Sequence, residues 1–379
     1  MLLGELALMP IKINPLLLML LLVWLISWQS VEAAVIDDLY DADIAVDDQS
    51  QRTQNNAFSL ALKQVFVKVR GNEDLITNQK IKSAIAKATR FVRSYSYDKQ
   101  GSQLYLAISF DPQRVDNIIR SAGFPVWDKR RPDSIIWLVI KSSENSLRQI
   151  VMPTDFPEVY QQLTKRAAQR GMNVIFPVWD LADIQSLGVY DIWGGFSTQI
   201  TRASERYVVP SVLSARIYLS QSQSSDAALT DAKTNAKALS KWSADWTMIE
   251  GGGFLAGQVQ GDNPLMIAER LIDALADQLS LKYAIDLAQI DRADTKVNIV
   301  INNIDSLKYY SQALNALENM SVVNKATLIK QQGARATFEL NLLGDVDDLS
   351  NALGLDSKIR PVVDDFGQPI VGLEFFWAK

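Results

Sequence analysis

Cysteine and histidine are both absent from the 379 residues. Their absence removes disulfides, thiol nucleophiles, histidine-assisted catalytic triads and Cys/His zinc sites. Basic charge is in deficit: 38 Lys and Arg stand against 43 Asp and Glu, giving a net charge of -5 and a pI near 5.1. A nucleic-acid binder normally presents a basic surface, so that class is disfavoured. No uninterrupted apolar run after residue 33 approaches the ~18 residues that would suggest a membrane span. At 48% hydrophobic and 21% charged, the chain falls in the ordinary globular range and is long enough for two or three cores.

The one long apolar run lies near the start. Lys12 precedes Leu16 to Ile26, 11 residues that are too short for a hydrocarbon core needing ~20 in a helix. Val31-Glu32-Ala33 follows as a small-x-small cleavage pattern, so residues 1–33 are expected to be a secretory signal peptide cut after Ala33 or Ala34. An uncleaved anchor is the lesser reading, because Leu2 to Leu8 lengthen the apolar stretch; Met9 is an alternative start. Without cysteine there is no lipobox. The expectation is a periplasmic protein with no membrane span after cleavage, resting on apolar cores rather than disulfides.

The fold class expected is multidomain, α+β and α/β. Residues 34–128 read as a small α+β domain of order β-α-α-β-β-α. Its strand runs from Val35 to Val46, and a helix from Gln49 to Val69 carries Phe58, Leu62, Val65 and Phe66. A second helix is expected over Ile81, Ile85, Ala88 and Val92. A strand from Leu104 to Phe110 precedes a helix with Asp111 at N-cap, Pro112 at N1 and Gly123 at C′. Residues 131–287 read as a mixed, mostly parallel α/β domain. Its strands are Ser134–Ile140, Asn173–Val178 and Val208–Leu219, with a polar loop over 220–240 and a hairpin at Glu250-Gly251-Gly252-Gly253. Residues 296–379 follow β-α-β-β-α-β, the ferredoxin-like order, ending on the alternation Val371, Leu373, Phe375, Trp377.

Chemistry is hard to place. Without histidine, a general base would have to be Asp, Glu, Lys or Tyr. The acidic doublets Asp37-Asp38, Asp47-Asp48, Asp347-Asp348 and Asp364-Asp365 read as caps and solvated surface, since adjacent strand residues point to opposite faces. No EF-hand spacing, P-loop or dinucleotide fingerprint occurs. No catalytic, cofactor-binding or metal-binding residues are assigned, and no cofactor is expected. The candidate contact for a ligand or partner is Trp193, Gly194, Gly195, Phe196 and Ser197. There a Gly-Gly step leads into a helix N-terminus flanked by hydroxyls. The pentapeptide Phe124-Pro125-Val126-Trp127-Asp128 recurs as Phe176-Pro177-Val178-Trp179-Asp180 without matching flanks, and its tryptophans read as core plugs.

The segments Ala61 to Asn72, Ala122 to Trp127, Arg131-Pro132 with Trp137, and Trp242-x-x-x-Trp246 resemble the domain of unknown function 2066 family. These are uncharacterised exported proteins of Gram-negative bacteria. The resemblance implies a cell-envelope location and supplies no activity. The favoured expectation is a non-enzymatic envelope interaction module facing a protein, peptidoglycan or lipid partner. The alternative is a carboxylate-dependent hydrolase of envelope polysaccharide, with its two carboxyl groups ~5 Å or ~6.5–9.5 Å apart.

Overall fold

The computed structural model describes residues 34–36, 38–143, 145–220, 241–285, 295–356, 358–363 and 372–378. The expected signal segment, the polar loop from residue 221 on, Asp37, the Asp364-Asp365 doublet and Val371 lie outside the described residues. Among those described, ten α-helices accompany sheets of three, six and five strands and one two-stranded pairing. The chain is mixed α and β, and no described helix is long and apolar enough to cross a membrane.

β1 (Ala34–Val35) and β2 (Asp41–Val46) are separate strands, because the chain turns at Asp38–Tyr40 where one continuous strand was expected. α1 (Gln51–Arg70) is capped by the Ser50 side chain, which accepts from the Thr53 N–H; Asp48 in turn accepts from the Ser50 N–H. The run Val65 to Val69 alternates like a strand yet is helical. β2 and neighbouring helices cover several sides of α1, so Val65, Val67 and Val69 are all buried. Gly71 ends the helix at φ 73.

α2 (Gln79–Ile85) is shorter than expected. Ala88 sits in a 3-10 turn, and Val92 opens β3 (Val92–Gln100) instead of closing the helix. β3 is exposed along most of its length, so it carries no core-facing apolar alternation by which to announce itself. It pairs with β4 (Gln103–Phe110) in the order β2-β4-β3. α3 (Pro112–Ser121) follows with Asp111 accepting from the Arg114 N–H and Pro112 opening the first turn.

β5 (Arg130–Arg131) pairs with β1. β6 (Ser134–Lys141) is buried on both faces, as its unbroken apolar run requires. β7 (Gln149–Ile150), α4 (Pro157–Gln169) and β8 (Val174–Ile175) come next. α5 (Leu181–Ser186), α6 (Val189–Gly194) and α7 (Ser197–Ser204) then lead to β9 (Ser211–Ser220). β10 (Lys241–Glu250), β11 (Gly253–Gly261) and α8 (Pro264–Tyr283) complete this part. Ile136, Leu138 and Ile140 join Leu163 and Leu271 in a cluster formed with α4 and α8. Ile135, Trp137 and Val139 face Ile192 and Ile200 of α6 and α7.

The mostly parallel sheet is corrected. The order is β11-β10-β9-β6-β7 with β8 on β6, and only β6–β9 and β6–β8 are parallel. β10 returns antiparallel to β9, and the Gly251-Gly252 turn, at φ 57 and 79, folds β11 back antiparallel in turn. Helix–strand alternation described the first half of this segment and not the second. The expected strand Asn173–Val178 contracts to Val174–Ile175, since Pro177 lacks a ladder N–H and β7 pairs further along β6. Val208 adopts φ 52, so β9 begins only at Ser211.

The last segment holds β12 (Thr295–Asn302), α9 (Leu307–Glu318), β13 (Val323–Gln332) and β14 (Arg335–Leu342). α10 (Val346–Gly354), β15 (Ile359–Pro361) and β16 (Glu374–Trp377) follow. Asp345 and Asp348 form a capping box at α10. The sheet order is β13-β14-β12-β16-β15, with β12–β16 parallel. β15 was not expected from the sequence; at three residues containing Pro361 it has the length and composition of an edge.

Candidate functional site

The candidate residues Trp193 to Ser197 form the corner between α6 and α7. Gly195 is the C-cap of α6 at φ 68, and Phe196 occupies the N-cap of α7 without a side-chain cap bond. The Phe196 ring lies over Gly194, where an added Cβ would stand 3.0 Å from its tip. Trp193 spans the carboxyl half of β9: its ring is 6.3 Å from Tyr218, and its carbonyl accepts from Arg216 at 2.8 Å. Arg216 also donates to Asp245 at 2.9 Å, and Gln258 donates to the same carboxylate at 2.8 Å, so three adjacent strands hold one polar ladder. Ser197 opens α7 and is only half-buried. Around the candidate helix start the structure places aromatic rings and arginine side chains.

The residue that the sequence reading missed is Arg148. Its guanidinium carbon lies 4.6 Å from the Trp193 ring and 5.1 Å from the Tyr190 ring. Its buried Nε has no hydrogen-bond partner among the described residues. Tyr190 beside it is 70% exposed, and Phe196, over Gly194 at the same corner, is 51% exposed. Nothing local in the sequence marks Arg148, since it precedes the two-residue β7 and meets Trp193 only through the tertiary fold.

A second missed feature is a groove between α2 and α3, with a volume of about 690 Å³. Ala84, Phe91 and Ile118 supply its apolar lining, and Lys80, Lys87, Arg90 and Arg114 its charge. No lining residue is acidic. A signal was present: from Leu75 to Tyr97 the chain carries Lys80, Lys82, Lys87, Arg90 and Arg93 and no acidic residue. The overall acidity of the chain masked it.

The most elaborate polar cluster is a structural joint. Arg131 is fully buried, with Trp127 beneath it at 4.1 Å. Its five N–H groups all meet carbonyls: Asp128 at 3.0 Å, Arg170 at 2.9 Å, Gly171 at 2.8 Å, Lys68 at 2.6 Å and Trp127 at 3.0 Å. These carbonyls include the C-terminal ends of α1 and α4, where a cation is favoured by the helix dipoles. Burial pushes the Arg131 guanidinium down to about 9, which leaves it charged at neutral pH. Arg170, also buried, donates to Gly71 O at 2.6 Å and pairs with Asp273 and Asp277 of α8.

The repeated pentapeptide therefore does two jobs. Trp127 is a core plug under Arg131. Trp179 is held at φ 57 by Asp183, whose carboxylate accepts the Trp179 N–H at 2.8 Å, and it packs edge-on to Trp137. The carboxylates that the fold brings together are tied to guanidinium groups: Asp180 and Asp183 to Arg206, Asp273 and Asp277 to Arg170. Arg206 holds the Asp180 carboxyl well below the usual range. Burial raises Asp277, against the pull of Arg170. Away from these pairs, burial raises the Asp116 carboxyl to about 6, while the Tyr40 hydroxyl bond at 2.9 Å and Arg120 pull it down.

A family described as Domain of unknown function (DUF8605) matches residues 33–128, about a quarter of the chain. This overturns the likeness to the domain of unknown function 2066 family. Two of the segments that carried that likeness, Ala61 to Asn72 and Ala122 to Trp127, fall inside the match. Each contains the end of a helix with a glycine at positive φ, Gly71 in the first and Gly123 in the second, a pattern that helix termination imposes on unrelated chains. No curated protein matches the chain.

Proposed function

We propose that the protein is a non-enzymatic, exported envelope protein of the periplasm, an interaction or accessory module that meets a partner at the Arg148–Tyr190–Trp193–Phe196 corner. The observation that carries this is Arg148, a cation set against two aromatic rings whose buried Nε lacks a partner among the described residues. Aromatic and arginine side chains on a rigid frame are the composition of binding hot spots. The partner side would supply a carboxylate, phosphate or carbonyl to the guanidinium and apolar surface to Phe196. The proposal keeps residues 34–128, 131–287 and 296–379 as its domain division. Separate buried clusters around Phe66, around Leu271 and around Phe338 support it. The strand order β13-β14-β12-β16 supports reading the last segment as ferredoxin-like.

The test is retention from detergent-solubilised envelope on immobilised wild-type chain and on Arg148→Ala and Trp193→Ala variants. A species retained by wild type and reduced at least about tenfold by both variants, equivalent to ~1.4 kcal/mol, is the expected result. Equal retention by all three would remove the corner from the proposal. The hydrolase reading gains nothing from the carboxylate pairs described above, because their charges are already committed to Arg170 and Arg206.

A further inference from the structure

The groove between α2 and α3 lies outside the Trp193 corner and inside the segment matched by the family. Its volume of about 690 Å³ falls within the range that holds one small ligand. The apolar lining from Ala84, Phe91 and Ile118 comes from α2, the end of the 3-10 turn and α3. Around it stand Lys80, Lys87, Arg90 and Arg114, so one groove combines a hydrocarbon surface with charge of a single sign. A cleft lined by one sign of charge concentrates ions of the other sign, here against the net charge of -5 of the whole chain.

The cations are not equally free. Lys80 donates to the Ser121 carbonyl and Arg114 to the Arg90 carbonyl, which pins both across the groove. Arg114 also meets Asp111, the nearest acidic group, at 3.4 Å. Lys87 and Arg90 are exposed and have no ion pair among the described residues. The charge left to a ligand is therefore theirs.

We propose that this groove binds a single free amphiphilic anion: a phosphate or carboxylate head held at Lys87 and Arg90, with an aliphatic chain laid over Phe91 and Ile118. The proposal is independent of the partner at Trp193. The groove is open to solvent along its length, so a membrane surface carrying the same headgroup chemistry is the competing occupant that the test separates.

The test uses calorimetric titration of the full chain with dodecyl phosphate below its micelle concentration. The expected result is one site per chain. Octyl phosphate should bind at least about fivefold more weakly, since each buried methylene adds to affinity, and dodecyl maltoside, with a neutral head, at least about tenfold more weakly. Lys87→Glu/Arg90→Glu should lose at least about tenfold, while a control with the same charge change, Lys308→Glu/Lys325→Glu, should stay within about twofold. Circular dichroism melts of both variants establish that the fold is retained. Several results would overturn the proposal. They are dodecyl phosphate binding unchanged in Lys87→Glu/Arg90→Glu, inorganic phosphate binding as tightly as dodecyl phosphate, or binding only to vesicles of phosphatidylcholine with phosphatidylglycerol.

Discussion

Among the tryptophan–arginine pairs of the described residues, two behave in opposite ways. Arg131 lies 4.1 Å from Trp127 and Arg148 lies 4.6 Å from Trp193, so the pair geometry is nearly the same. Arg131 is sealed in and every N–H is taken by a backbone carbonyl. Arg148 is half-buried against two rings, with its Nε unpartnered among the described residues. Cation–aromatic contact alone therefore does not distinguish structure from recognition. What distinguishes Arg148 is an unused donor together with an exposed aromatic neighbour, Tyr190, since the buried Arg170 also has an unpartnered Nε among the described residues.

The largest effect should come from Arg131→Met. It leaves five carbonyls without their donor in a sealed site and should destabilise the chain by about 4 kcal/mol, read from the urea midpoint. A loss below about 1 kcal/mol would mean that water or backbone movement satisfies those carbonyls, and the contrast with Arg148 would fail. Gly71→Ala should cost about 3 kcal/mol by the same measurement, because φ 73 is strained for alanine and the added Cβ would stand 2.3 Å from the Trp127 ring.

Asp116 sharpens the comparison through pH. Its folded value of about 6 lies above the ordinary 3.8, so the folded state binds the proton more tightly than the unfolded state. Stability is therefore highest below about 4 for this group and falls as pH rises through 6, by an amount on the order of 2 kcal/mol. Asp116→Asn should flatten that part of the pH–stability curve and gain stability at pH 7. An unchanged slope between pH 4 and 6 would show that another group controls it.

The smallest effect belongs to Arg148→Ala, expected to change stability by about 1 kcal/mol or less in thermal or urea unfolding, the size of a half-buried cation–aromatic contact. A loss as large as that of Arg131→Met would reclassify Arg148 as structural.

Much of this contrast was hidden in the sequence, for physical reasons. Local punctuation was legible: Asp111-Pro112 does start a helix and Gly123 does end it, because caps depend on neighbouring residues alone. The buried run Ser134 to Ile140 was legible because both of its faces are covered. β3 was present in the expected order but had no residues assigned, since an exposed strand needs no apolar pattern, and the sheet direction after β9 depends on the path of the chain rather than on its composition. Trp193 was named from the sequence as a candidate contact, and the structure places it at the end of α6, half-buried. Its partner Arg148 was invisible, 45 residues earlier in the chain. The basic groove was visible in the acid-free run from Leu75 to Tyr97 and was lost in the average charge.

The central claim is the proposal that the protein meets its partner at the Arg148–Trp193 corner, where Arg148 Nε has no hydrogen-bond partner among the described residues. It is tested most directly by placing a photoreactive phenylalanine analogue at Phe196 in the full chain in cells, with the same probe at Leu307, which is 78% exposed, as comparison. The prediction is a discrete crosslinked species from position 196, absent from position 307 and lost with Arg148→Ala. The same species from both positions, or its persistence in Arg148→Ala, would contradict the account.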